Sequence, residues 1–477
     1  MESKNIVLII CAILSFFTVF AFNAVMIAVP SIDAEYGMNN IVQNWVTIIF
    51  LLIVAAISVP AGQVSGKYGL KKVSIISIIF FIIISIANVV VTTSEMFLVC
   101  RLLMGVSIAF LNVTSMAMVV SAFEPHERGK AIGINITGVY LGLSLSPVIA
   151  GILDFQLGWR SIVLFSIPFM VLLLAMLYKV KDEWITFEGL PLDIKGSLVY
   201  IVGILLFIYG FTRLNEPIGV ILTVIGIAVL ALFAYIEIRS DYPVFDVRFF
   251  KNSKFLSSNF AALCAYLATF AVTTILNYHL QYIKGYDSQM SGMILIVAPL
   301  FQVVLAPLAG RWSDKVNPQI LSAVGMGLGT ISLIGGISTK KTFKVVGMGL
   351  GTISLLLFSL LDADTSLIFL IVSMVFYGVG FGLFSSPNTN VIMSSVPPQA
   401  TPVASASVST VRVVGQTMSM GILTLVFAFV MGNVPMTEKY FPQLIASSQI
   451  TCIICVVLCI ASVFASLVGI KAKGMGD

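Results

Sequence analysis

Charge is scarce in this sequence: only 10% of its 477 residues are Asp, Glu, Lys or Arg, and two are His. An ordinary soluble domain carries roughly 25% charged residues. None of the 21 Asp and Glu falls deep inside an apolar run. Cys is equally uninformative as chemistry. Cys11, Cys100, Cys264, Cys452, Cys455 and Cys459 all lie in apolar stretches, which excludes a secreted disulfide framework and a zinc site on polar loops. Cys452, Cys455 and Cys459 share one helix face, but no His or carboxylate joins them, so packing accounts for them. The loops hold no paired carboxylates, metal-ligand cluster or nucleophile–base pair, so neither an enzyme nor a cofactor is expected.

What the chain has instead is hydrophobic length, with 59% apolar residues. Runs of about 18 to 25 residues, long enough for a helix to cross a hydrocarbon core, fall near 6–29, 44–65, 72–94, 96–119, 131–153 and 161–179. A pair follows near 194–212 and 217–237. A second set lies near 255–281, 289–309, once inside 319–361, then 365–387, 404–431 and 446–470. The first run is too long for a cleaved signal and reads as a span. The expected fold is an all-α polytopic membrane protein of fourteen spans: a six-helix bundle over 1–181, two additional helices over 182–254 and a second six-helix bundle over 255–477.

Orientation follows from the cations, which gather on the inner side of membrane proteins. Twenty of the 26 Lys and Arg fall on the side of the N-terminus. Arg160, Arg213, Lys284 and Lys439 fall on the other, and Arg101 and Arg412 lie within spans. Both termini are therefore expected in the cytoplasm, in the cell membrane. The net charge of +5 is a topology signal and implies no nucleic-acid partner.

One stretch disturbs this count. VGMGLGTISL occurs at Val324–Leu333 and again at Val346–Leu355. If both copies crossed, Lys340, Lys341 and Lys344 between them would face outward and every later helix would be inverted. One crossing is expected, formed by the second copy near 345–361, with the duplicated segment at 324–355 contributing an extra stretch on the inner side.

The second span ends in PAGQVSGKYGLKKV, with Gly62, Gly66, Lys67, Gly69, Lys71 and Lys72, and the tenth in APLAGRWSDKVNP, with Gly310, Arg311, Asp314 and Lys315. Glycines allow a tight turn and cations anchor it at the inner face. Similar loops at matching points of two halves suggest an internal repeat, the architecture of secondary transporters. In the fifth span Gly138, Gly142, Ser146 and Ala150 recur every four residues, a face small enough for close helix packing. Pro147 removes a backbone donor and bends the helix.

On these motifs the chain resembles the major facilitator superfamily, specifically its fourteen-helix drug:proton antiporter branch. The loop after span two is similar to that family's Gly-x-x-x-Asp-Arg-x-Gly-Arg-Lys element, and EPHERGKAIG to its loop between helices four and five. GVYLGLSLSPVIAG resembles the antiporter motif at Gly142, Ser146, Pro147, Ala150 and Gly151. LVCRLLMGV resembles the Arg-x-x-x-Gly element at Arg101 and Gly105. DIKGSLVY (Asp193, Gly196) and FAYIEIRSDYPVFDVRFFKN (Glu237, Pro243, Asp246) resemble the segments flanking the extra helix pair.

The departures bear on mechanism. Gly66 stands where the family places its Asp, so the charge lock attributed to that Asp is missing or replaced, with Asp314 of the second half as a replacement. In FAFNAVMIAVP, Ala21 stands at the family's span-one Asp and Asn23 at its Thr. Two readings remain for Arg101: a buried functional cation, or a side chain snorkelling to the headgroups.

The resemblance implies a secondary transporter that moves a small molecule by alternating access, exchanging it for protons. Asn23, Asn112, Thr114, Asn277, Gln281 and Gln302 are the candidate cavity residues. Arg101, His279 and Asp33 are the candidates for coupling, His279 because its ordinary pKa lies near neutrality. With few charges and 34 Phe, 14 Tyr and 20 Met, the cargo is expected to be hydrophobic or amphipathic and the protein a multidrug exporter, working as a monomer in the bilayer. An uptake carrier or facilitator for a small metabolite, or an inactive or sensor member of the family, are the alternatives.

Overall fold

The structure is a computed structural model that describes residues 3–38, 40–187, 189–286, 288–314, 350–432 and 440–471. Among the described residues there is helix and no strand. The physical cause is the apolar composition. In hydrocarbon no water is present to satisfy backbone N–H and C=O groups, and a helix satisfies them within one segment.

The chain forms two compact units. The first comprises Met1–Leu205, Ala228–Val247 and Val396–Val413, and the second Leu206–Ile227, Arg248–Ser395 and Val414–Asp477. The helices are α1 (Ser3–Tyr36), α2 (Asn40–Tyr68), α3 (Leu70–Val89), α4 (Ser94–Ala122), α5 (Arg128–Leu157), α6 (Arg160–Lys179), α7 (Ile194–Phe211) and α8 (Pro217–Arg239). They continue as α9 (Ser253–Tyr278), α10 (Ser288–Leu295), α11 (Val297–Ser313), α12 (Leu350–Phe358), α13 (Leu367–Ser394), α14 (Thr401–Val430) and α15 (Phe441–Lys471).

Thirteen spans among the described residues are long and apolar enough to cross a bilayer. The expected span near 289–309 is divided into α10 and α11 at Ile296. Pro299 explains the break, because its ring nitrogen cannot donate to the carbonyl of Leu295. Most of the duplicated segment lies outside the described residues. Of its second copy, Leu350–Leu355 begins α12, whose Thr352, Leu355 and Phe358 are fully buried. Ser354 Oγ donates to Ser373 O at 2.9 Å, tying α12 to α13.

Within the first unit α1 packs on α5, α2 on α4, and α3 on both α4 and α6. Within the second, α11 packs on α13, and α12 on α13 and α15. Second-with-fourth and third-with-sixth contacts thus occur in each set of six, as the internal repeat requires. Outward faces are apolar too: α8 exposes Ile218, Ile221, Val224 and Ile225, side chains that suit lipid.

Candidate functional site

Among the described Asp, Glu, Lys, Arg and His side chains, three are buried: Arg101, Glu237 and His279. Arg101 is 1% exposed, so it does not snorkel. Its Nη1 donates to Ala21 O at 2.9 Å and its Nε to Val46 O at 3.4 Å. The guanidinium stands over the Phe50 ring, 4.5 Å from the centroid. Nη2 has no partner. A buried cation held by carbonyl dipoles and an aromatic face, without a carboxylate, keeps a donor in reserve. Ala21, which occupies the family's acid position, contributes its backbone oxygen to this cation. Arg412, by contrast, is half-exposed.

His279 opens a π-helical turn, His279–Ile283, at the end of α9. Such a turn inserts an extra residue into the ladder and recurs at functional sites. His279 is 3% exposed and its Nε2 has no partner. Two residues on, Gln281 Nε2 donates to Asn277 Oδ1 at 2.9 Å, so these two candidates pair with each other within the second unit. Gln302 is buried on α11, with its Cα facing Gly382 of α13.

In the first unit Asn23 is half-buried and its Nδ2 donates back to Val19 O at 3.1 Å. Asn112 is half-buried on α4. Thr114 is placed differently from the expectation of a cavity residue. It is fully buried against α3 and accepts from Ser74 Oγ at 2.8 Å while donating to Phe110 O at 2.9 Å. Its polarity is spent on helix packing. Asp33, half-buried, lies beyond the apolar window of α1 that ends at Val29.

The small face of α5 packs on α1. A methyl on Gly138 would overlap the carbonyl oxygen of Ala12, and one on Gly142 would come 2.8 Å from Phe16 O. Ser146 Oγ donates to Gly142 O, and Ala150 is fully buried. Gly151, one residue off that face, has nothing within 4 Å. Pro147 lies inside the helix as expected.

At the lysine-rich end, Gly69 turns the chain between α2 and α3 with φ of 98°, a conformation that favours glycine. As the N-cap of α3 it has no side chain to offer. Glu183, from the segment after α6, supplies the cap: its Oε1 accepts from Lys71 N at 2.9 Å and its Oε2 from Lys72 N at 3.1 Å. A carboxylate there satisfies two free N–H groups and meets the positive end of the helix dipole. Lys71 Nζ donates to Val180 O at 2.7 Å, and Lys67 stands over Tyr68.

The segment continues across Gly66, whose carbonyl accepts from Thr186 N at 2.8 Å and Phe187 N at 3.0 Å. The anion at this turn is thus Glu183. Asp314, suggested by sequence, ends α11 in the second unit, where Gly310 is buried and accepts from Ser313 Oγ at 2.7 Å. Lys315 lies outside the described residues. Gly62 admits α14: a methyl there would meet Ala406 Cβ at 2.9 Å and Pro402 O at 3.0 Å. Nearby Ser58 and Ser409 hydroxyls pair at 3.1 Å, and Ser405 Oγ donates to Val113 O at 2.6 Å.

The opposite end of the first unit holds a second network. Arg160 donates from Nη1 and Nη2 to Glu35 at 2.7 and 2.6 Å, and Trp159 Nε1 donates to the same carboxylate at 2.8 Å. The Arg160 hydrogen bonds hold the Glu35 pKa below its ordinary value. Burial raises that of neighbouring Tyr36.

Sequence reasoning missed Glu237 as a buried acid, because it sits in the last turn of α8 just before the polar stretch Arg239–Asp241. It is fully buried. The available signal was the glycine three residues after Asp193, which leaves room for a carboxyl to approach.

Comparison with known proteins agrees with this architecture. The family model for the Major Facilitator Superfamily matches residues 11–420. The chain is 29% identical over 417 residues to the riboflavin transporter RibZ of Clostridioides difficile, covering 86% of each. It is 24% identical over 413 residues to the multidrug resistance protein Stp of Mycobacterium tuberculosis, covering 85% of this chain and 72% of Stp. Among solved structures, the human organic anion transporter MFSD10 superposes with a TM-score of 0.66 at 14% identity, covering 98% of this chain and 100% of that one. The proton:xylose symporter XylE superposes with a TM-score of 0.63 at 15% identity, covering 97% and 94%. With a family match over most of its length and the same fold in both structures, the chain belongs to the major facilitator superfamily and is a multi-pass membrane transporter, not an enzyme.

Proposed function

We propose that the protein is a proton-coupled exporter of hydrophobic or amphipathic compounds, acting by alternating access in the cell membrane with both termini in the cytoplasm. The observation that carries this reading is the character of the buried polar groups. Most are amides and hydroxyls; the ionisable ones among the described residues are the Glu237 carboxyl, the His279 imidazole and the Arg101 guanidinium, which stands over a ring and has an unused donor. Aromatic surface accompanies them: Phe16 stacks on Phe20 at 5.9 Å, and Phe17, Phe165 and Phe169 cluster beside them. A chain interior of this chemistry favours flat, weakly charged solutes over sugars or phosphates. Arg101, His279 and Asp33 are the proposed coupling groups. The multidrug resistance relative supports the direction of transport. The protein acts as a monomer.

A second reading, uptake or facilitated passage of a small metabolite, is favoured by the riboflavin transporter that matches over 86% of both chains. One assay separates the two. Inside-out vesicles carrying the protein are given ethidium or Hoechst dye, with and without an imposed pH gradient, and riboflavin as competitor. Gradient-driven dye accumulation abolished by a protonophore supports export. Riboflavin counterflow without a gradient, with no dye movement, supports the metabolite carrier.

A further inference from the structure

The start of α7 and the end of α8 bring two carboxyls together. Glu237 is fully buried, and its Oε2 accepts from the backbone N–H of Phe245 at 2.9 Å. No hydrogen-bond donor reaches its other oxygen, Oε1. Asp193 Oδ1 accepts from Gly196 N at 2.8 Å. Both remaining oxygens crowd the Cα of Gly196: a methyl there would overlap Glu237 Oε1 and lie 2.7 Å from Asp193 Oδ2. Glu237 Oε1 and Asp193 Oδ2 thus converge on the same Gly196 Cα.

Ionised carboxylates only accept hydrogen bonds. Two carboxylates converging on one buried point repel each other, and a proton shared between them relieves that repulsion. No cation relieves the pair. Among the described residues neither carboxyl has an ion-pair partner. Lys195 is exposed, Arg239 stands over Tyr235 at 4.3 Å, and Lys67 stands over Tyr68. Asp241 is exposed and Asp246 half-exposed on the loop that follows, and both are acids.

We propose that Asp193 and Glu237 form a proton-binding carboxyl pair which, while it holds one proton, clamps the α7–α8 hairpin onto α2. The mechanical link is on the same residues. Asp193 N donates to Gln63 Oε1 at 3.1 Å, and Gln63 Nε2 lies 3.4 Å from the carbonyls of Tyr242 and Pro243. Two turns along, Tyr200 OH donates to Ala55 O at 3.0 Å. Gln63 follows Gly62, the residue that admits α14, so the clamp bears on the helix whose inner end must move if that contact opens. Loss of the proton leaves two negative charges facing each other and drives the hairpin from α2. Neither cargo nor its direction enters this inference.

Infrared difference spectroscopy of the full-length protein in lipid nanodiscs tests it. Wild type is expected to show a protonated-carboxyl C=O band at neutral pH that shifts in heavy water. Glu237→Gln, whose amide accepts from Phe245 and donates to Asp193, is expected to abolish the band. The exposed control Asp241→Asn leaves it in place. If Glu237→Gln does not fold, Asp193→Asn gives the same readout, its amide replacing the proton as donor to Glu237. A wild type without the band, or a band that survives in either folded variant, overturns the proposal.

Discussion

The ring of Phe187 occupies the space that a side chain on Gly66 would fill: a methyl there would overlap the ring and lie 2.8 Å from Thr186 Oγ1. This explains why glycine stands where the family has Asp. The anion has moved to Glu183, four residues before Phe187, and the segment carrying both is strapped across the α2–α3 turn. Restoring the family residue with Gly66→Asp is therefore expected to destabilise the protein by about 1–3 kcal/mol through overpacking. Thermal unfolding in detergent checks it, with Glu183→Gln lowering stability at the same turn by about 1 kcal/mol through the weakened cap.

The α1–α5 seam makes a paired prediction. Gly138→Ala drives a methyl into the backbone oxygen of Ala12, which cannot rotate away, and should cost about 1–3 kcal/mol. Gly151→Ala meets nothing within 4 Å and should leave stability unchanged. Melting temperatures of the two variants decide whether the small-residue face, and not glycine as such, is what α5 packs with.

For Arg101, replacement by Lys keeps the charge but loses the planar stack on Phe50 and the fork shared between Ala21 and Val46. The desolvated stack is worth about 2 kcal/mol, so vesicle transport by Arg101→Lys should fall about 30-fold. Normal transport by this variant would place Arg101 among purely structural groups.

Glu35 gives the pH dependence at the opposite end. Its folded pKa is depressed by Arg160, so its contribution is present above the ordinary Glu value of about 4.3. That contribution is lost as pH falls through the lower folded value. The pair is partly exposed, with Arg160 and Glu35 side chains at 31% and 40%, so its worth is within about 1 kcal/mol. Glu35→Gln should lower the melting temperature near neutral pH and flatten its dependence on acid.

The duplication makes the last prediction. Deleting residues 324–345 leaves one copy of VGMGLGTISL joined to α12, whose packing against α13 and α15 is retained. Initial rates of dye uptake by the deletion should equal or exceed those of the intact chain. A folded but inactive deletion would assign the extra copy a role in transport.

Hydrophobic length and the repeated glycine loops were enough to read the fold, because a bilayer permits few backbone solutions and each leaves its mark on local composition. The same local periodicity exposed the small face of α5. Three matters were decided only in three dimensions. Arg101 proved buried instead of snorkelling, since its partners are backbone carbonyls of α1 and α2, about 80 and 55 residues away in the chain. Thr114 is fully buried, with Ser74 of α3 facing it. Glu183 at the α3 terminus and Glu237 beside Asp193 acquired their settings from segments 112 and 44 residues distant. A residue's type and spacing report its own helix, whereas its desolvation and its partners depend on which other helix arrives against it.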